Sequence, residues 1–113
     1  MTDLVSDPGS VRALATAIRA GTLTSTALVE RSLARIEAVD DKVMAWRSVD
    51  RDGALAIAEA CDREAASGAW RGPLHGIPFG VKDIIDVRGV PTRAGSRSRA
   101  NAAPALIDAT VVA

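Results

Sequence analysis

Lys82, set among small and apolar residues, is the group in this sequence best suited to proton transfer. It lies in the stretch Gly72–Ser96, G-P-L-H-G-I-P-F-G-V-K-D-I-I-D-V-R-G-V-P-T-R-A-G-S, which also holds the only His and the only Phe. Ile77, Phe79 and Val81 alternate with Pro78, Gly80 and Lys82, the period-two pattern of a strand with one packed face. Pro78 removes a backbone donor and Gly80 a side chain, so such a strand should be irregular, at an edge, or close to another group. Between Val81 and the Ile84-Ile85 pair, desolvation would disfavour the ammonium and leave Lys82 a neutral general base. The plainer reading is a strand lysine that reaches water or guards a sheet edge.

The run G-P-L-H-G-I-P-F-G-V-K-D-I-I-D, followed by G-V-P-T-R-A-G-S, closely resembles the first motif block of the amidase signature family, serine hydrolases that cleave amide carbon–nitrogen bonds. G-T-L-T-S-T-A-L-V-E-R-S-L-A-R-I-E resembles that family's second helix, and D-A-T-V-V-A the start of the helix after the block. The likeness spans essentially the whole chain but only the N-terminal, minor part of the family's domain. It implies a Ser–Ser–Lys triad, in which the Lys of a K-D dipeptide deprotonates a bridging Ser held by a cis peptide, and that Ser activates a nucleophilic Ser. Lys82 matches the Lys. Asp83, Gly95 and Ser96 are further candidates: Asp83 as an anchor for nearby backbone, Gly95 and Ser96 in a turn that the family places close to the active site. The same turn reads equally well as an ordinary loop.

The serines present are Ser6, Ser10, Ser25, Ser32, Ser48, Ser67, Ser96 and Ser98. None sits in the G-G-S-S-G-G-like setting that the family uses for its two catalytic serines. A nucleophile needs a base within reach and donors for the oxyanion, so the chain is expected to supply the lysine alone and to be inactive in isolation.

Other chemistries find less support. His75 has no second His or Cys at ligand spacing, so it reads as a turn residue and no metal is expected. Cys61 falls on the apolar face of a helix and reads as a small buried hydrophobe. Arg88, Arg93, Arg97 and Arg99 read first as a solvated loop, with a phosphate or anionic substrate as the sharper alternative. There is no G-K-[S/T] phosphate loop and no G-x-S-x-G elbow, and no cofactor is implied.

The composition sets bounds on these readings. With 14 acidic against 14 Lys and Arg residues and a net charge of zero, no global field favours nucleic acid or an anionic membrane. One Cys cannot form an internal disulfide and fits a reducing compartment. The N-terminal residues lack a basic and an apolar region of the secretory kind, and no apolar run approaches a membrane span. Cytoplasmic residence is the default.

Several elements must position Lys82. Residues 1–9 read as a lead-in to Ser10, a helix cap, followed by Val11, Leu14, Ala15 and Ile18 on one face and a stop at Gly21. A second helix starts at Thr24 with Leu28, Val29, Leu33 and Ile36 as its stripe and ends near Val39; Ala27 stands where a capping-box acid would. A strand is expected near 43–49, then a helix near 52–67 with Ala54, Ile57, Ala58, Cys61 and Ala65 inward, closed by Gly68. A second strand covers 77–83, and Asp108 would cap a last helix over 109–113. That helix has no C-cap of its own.

The expected architecture is α/β: helices near 10–20, 24–39 and 52–67 on short strands of a mixed sheet, forming residues 1–113 as the truncated N-terminal part of an amidase-signature domain. The expected partner is a small-molecule amide, with a homodimer as the candidate assembly and neither nucleic acid nor membrane involved. Two alternatives are a non-catalytic helical interaction module and a part resembling the A subunit of glutamyl-tRNA amidotransferase. S-R-S-R-A-N after Gly95 departs from that subunit's T-x-x-A-S-K, which favours a general amidase.

Overall fold

The computed structural model describes residues 9–113, so most of the expected lead-in lies outside the described residues. The chain divides at Pro78 into a helical unit and a second unit, Phe79–Ala113.

In the helical unit, α1 spans Val11–Arg19, α2 Ser25–Val43 and α3 Arg51–Ala66. Ser10 and Thr24 cap α1 and α2 as their types require, accepting the amides of Ala13 and Ala27 at 3.2 and 3.1 Å. Gly21 and Gly68, at φ 72° and 78°, follow the ends of α1 and α3 in the left-handed conformation that costs glycine little. Val29, Leu33 and Ala58 form the core between α2 and α3, with Ala54 and Leu55 packed against it. Ile18, Leu28 and Cys61 are buried as well.

Three expectations shift in this unit. Helix α2 runs on to Val43 and ends at Met44, a non-glycine residue at φ 49°. The strand expected over 43–49 does not form, because Asp40 draws that backbone into a cap: its carbonyl takes the Met44 amide at 2.7 Å, and Oδ1 takes those of Ala45 and Trp46 at 2.8 and 3.2 Å. Helix α3 starts under Asp50, which accepts the Gly53 amide at 3.0 Å; a Cβ on residue 53 would stand 2.1 Å from that carboxylate. Ile57, expected inward, is 60% exposed, and Leu55 packs on the core instead.

The missing capping acid of α2 comes from α3. Asp62 accepts the Ser25 amide at 2.7 Å, the Thr26 amide at 3.0 Å and the Thr26 hydroxyl at 2.6 Å. A carboxylate there satisfies orphan donors of the first turn and meets the positive end of the helix dipole. Burial acts to raise the Asp62 carboxyl; the Thr26 and Ser25 hydrogen bonds and His75 outweigh it and leave the group below its ordinary value. A second tie between these helices is the exposed Arg51–Glu37 ion pair.

Among the described residues no strand forms, and the mixed sheet expected at 43–49 and 77–83 is not seen in them. From Ile77 to Lys82 the backbone runs without helix, turn or bend, and the amides of Phe79 through Asp83 have no acceptor among the described residues. A ladder needs a neighbouring strand, and none is supplied. Two isolated bridges, Arg88 with Ala105 and Pro91 with Pro104, are the sheet-like pairing in Phe79–Ala113. Asp108 does not cap a helix: its Oδ1 accepts the Arg88 amide at 2.7 Å, and residues 109–113 make a single turn.

Candidate functional site

Lys82 and Asp83 stand side by side in sequence and differ in what they touch. Asp83 is half-buried: Oδ1 accepts the Arg93 amide at 2.9 Å and its carbonyl accepts the Ala94 amide at 2.8 Å. It therefore anchors backbone, as its sequence context implies, and ties the residues next to Gly95 and Ser96 to the K-D dipeptide. Ala94 and Gly95 follow in left-handed conformation, at φ 53° and 63°. The turn closes with the Ser96 amide donating to the Arg93 carbonyl at 3.0 Å, and the Ser96 and Ser98 hydroxyls share a hydrogen bond of 2.8 Å.

Lys82 is exposed, and its ammonium makes no hydrogen bond or ion pair with a described residue. The apolar surroundings expected from the sequence are not assembled, since Phe79 and Ile84 are 69% and 58% exposed. The carbonyl of Lys82 accepts the amides of Ile84 and Ile85 at 2.7 and 3.0 Å, a tight turn that stops the chain straight after the lysine.

The Arg-rich loop is held by its own side chains. Thr92, buried, donates from Oγ1 to Asp86 Oδ1 at 2.6 Å, and Arg99 Nε donates to the Thr92 carbonyl at 2.7 Å. Arg93 Nε is shielded from solvent and has no acceptor among the described residues.

Within the helical unit the G-P-L-H-G turn is a structural clasp. His75, buried, accepts the Arg71 amide at Nδ1 (3.1 Å), and its Nε2 lies 2.8 Å from the Cys61 carbonyl. The tautomer with its proton on Nε2 satisfies both contacts. The Ser25 hydroxyl, fully buried, donates to the Gly76 carbonyl at 2.8 Å, and a Cβ on Gly76 would stand 3.0 Å from Ser25 Cβ. His75 is the turn residue that the sequence suggested, and its burial explains why an imidazole stands there.

Cys61, Glu64 and His75 bring potential metal-ligand atoms within 4.8 Å of one another, a convergence that sequence spacing did not show. Two of the three groups are already engaged. Both His75 nitrogens are hydrogen-bonded, and Glu64 takes two bonds from the Arg71 guanidinium, which holds its carboxyl below the ordinary value. An open groove of about 620 Å³ is lined by Val11, Ala15, Arg19, Trp70, Pro73 and Leu74 among others. The Arg19 guanidinium lies 4.7 Å from the centre of a Trp70 ring. Lys82, Asp83, Gly95 and Ser96 are not part of this lining.

These elements match a known family. The family model described as Amidase covers residues 27–113, most of the chain, and the chain belongs to that family. Among its curated relatives, the A subunit of glutamyl-tRNA(Gln) amidotransferase from Streptomyces coelicolor is 49% identical over 84 residues, 74% of this chain and 17% of the relative. The protein of the same name from Salinispora arenicola is 43% identical over 112 residues, 99% of this chain and 22% of the relative. The chain thus spans about a fifth of the length of these relatives.

Solved structures agree. One, described as a vestigial protein complex that reveals the evolutionary origins of an s-triazine catabolic enzyme, superposes with a TM-score of 0.87 at 33% identity, over 92% of this chain and 23% of that one. PAM12A gives a TM-score of 0.76 at 35% identity, over 96% of this chain and 22% of that one. No helix among the described residues is long and apolar enough to cross a membrane.

Proposed function

We propose that this chain contributes the base of an amide-cleaving centre, with Lys82 accepting the proton that a Ser–Ser relay passes on as the nucleophilic serine attacks the amide carbonyl. An acyl-enzyme forms, the amine leaves with a proton, and water releases the acid; no cofactor is needed. The two serines lie outside these residues, so the isolated chain is inactive. The observation that carries this reading is the match of the K-D block within an amidase-family segment, together with a lysine ammonium left unpaired and an adjacent Asp83 that holds the 93–94 backbone. Gly95 and Ser96 then belong to the substrate-side turn, and the mixed sheet forms only when the rest of an amidase domain is present. The substrate is a small amide, handled in the cytoplasm.

A second reading follows from the relatives, both of them amidotransferase A subunits: the centre would work inside a multi-subunit complex and release ammonia from an amide donor for a transfer step. Replacing the matching N-terminal segment of the Salinispora arenicola protein with residues 1–113 tests both. Hydrolysis of simple amides by this fusion supports a general amidase, activity restricted to an amino-acid amide supports the second reading, and activity undiminished by Lys82→Ala overturns the role of Lys82.

A further inference from the structure

We propose that Arg93 binds a carboxylate of the substrate, so that the amides this centre cleaves are those that also carry a carboxylic acid. The inference rests on the functional reading above and adds to it the substrate class. Its first support is an unmet donor. Arg93 Nε is shielded from solvent without an acceptor among the described residues, and no other atom of the guanidinium makes a hydrogen bond or ion pair with them. A donor on a charged group that loses water and gains no partner is destabilising, so this atom marks a place where an acceptor binds. The Nε side of a guanidinium presents two parallel donors, Nε and one terminal nitrogen, in the fork that matches the two oxygens of a carboxylate.

The second support is what the neighbouring acids do. From Val87 to Ile107 there are four arginines and no acidic residue. The three carboxylates of Phe79–Ala113 are committed to other donors: Asp83 to the Arg93 amide, Asp86 to the Thr92 hydroxyl and Asp108 to the Arg88 amide. No guanidinium of this unit has an ionic partner among the described residues, whereas Arg51 and Arg71 of the helical unit pair with Glu37 and Glu64. Arg99 adds to the charge at the same point, since its Nε donates to the carbonyl of Thr92, the residue before Arg93. Uncompensated positive charge of this kind attracts an anion.

The third support is placement. The Arg93 amide lies 2.9 Å from Asp83 Oδ1 and the Ala94 amide 2.8 Å from the Asp83 carbonyl, so two hydrogen bonds fix the backbone of Arg93 beside the K-D dipeptide. Lys82 and Arg93 are far apart in sequence and next to each other through Asp83. That arrangement suits a ligand whose amide and carboxylate are separated by a few bonds, as in the monoamide of a short dicarboxylic acid.

The test uses the fusion of residues 1–113 to the remainder of the Salinispora arenicola protein, with succinamate, butyramide and the phosphonate analogue of succinamate as amides. The parent fusion should favour succinamate over butyramide in kcat/KM by roughly ten-fold or more, and Arg93→Gln should reduce that ratio by a similar factor, mainly through KM. Binding is read separately by calorimetry with succinate, which has no amide and needs no turnover. The parent should bind it, and Arg93→Gln should bind it roughly ten-fold more weakly. Arg93→Lys keeps the charge without the fork; it should bind succinate with intermediate affinity, and it serves where Arg93→Gln does not fold. Equal succinate affinity with and without Arg93, no preference for succinamate over butyramide, or an equal loss on both amides in Arg93→Gln would each overturn the proposal. A preference for the phosphonate over succinamate would overturn the assignment to a carboxylate. A fusion that binds succinate through Arg93 yet hydrolyses no amide supports the binding site and counts against the role of Lys82, so the two readings fail separately.

Discussion

The helical unit and the unit Phe79–Ala113 are held together by different physics. In the first, α2 and α3 bury Val29, Leu33 and Ala58 against each other. In the second, four polar ties do the work: Asp83 to Arg93, Asp86 to Thr92, Asp108 to Arg88, and Arg99 to Thr92. Apolar burial is non-directional and tolerates exchange of similar shapes, whereas three of these four ties fix a named backbone atom and the fourth joins two side chains. The unit that carries the candidate lysine is therefore specified by geometry more than by burial, and Phe79, Ile84, Leu106, Ile107 and Val111 stay exposed.

That contrast can be broken most severely at Leu33. Leu33→Ala should cost about 2–4 kcal/mol and lower the helical melting temperature sharply, since Leu33 is 6% exposed in the α2–α3 core. A loss below about 0.5 kcal/mol would mean that the helices are held by something other than this core.

Next in size is Asp62→Ala, expected to cost about 1–2 kcal/mol by exposing orphan donors at the start of α2. The same residue gives a pH dependence. Its folded-state pKa is lowered from 3.8, so its contribution is fully present above the unfolded value and is lost as pH falls through the folded one. Melting followed from pH 7 down to pH 2 should show this acid-side loss in the wild type, reduced in Asp62→Ala.

Met44→Gly should stabilise α2 by about 0.5–1 kcal/mol, because glycine occupies the left-handed C-terminal position without a Cβ penalty. Thermal melting with a raised midpoint is the check.

Asp83→Ala removes a hydrogen bond worth about 1 kcal/mol, so the Arg93 amide should exchange roughly five-fold faster while the Ala94 amide, held by the Asp83 carbonyl, changes little. Equal acceleration at both would show that the side chain orders the whole turn.

The features that the sequence made legible are those written within a few residues. Ser10, Thr24, Gly21 and Gly68 bound the helices because capping chemistry is local. The K-D block and the amidase resemblance were legible for the same reason, and the family match bears out the resemblance. What stayed hidden depends on distant partners. Asp62 caps a helix that starts 37 residues earlier, and nothing near Ala27 signals it. Asp40 turns 44–46 into a cap, which overrode the strand propensity of Val43, Trp46 and Val49. Ile57 and Leu55 compete for one helical face, and their spacing could not say which packs inward. The alternation of Ile77, Phe79 and Val81 is plain in the sequence, yet no strand forms there among the described residues, because pairing is set by a neighbouring strand and not by the segment's own pattern.

The proposed role of Lys82 as the base of an amide-cleaving centre can be put to the test by fusing residues 1–113 to the remainder of the Salinispora arenicola protein. Amide hydrolysis should be measured for this fusion with and without Lys82→Ala, with amide exchange confirming that both are folded alike. The parent fusion should be active and the variant slower by roughly a hundred-fold or more, the scale of removing a general base. An equally folded variant that keeps the parent's rate would contradict it.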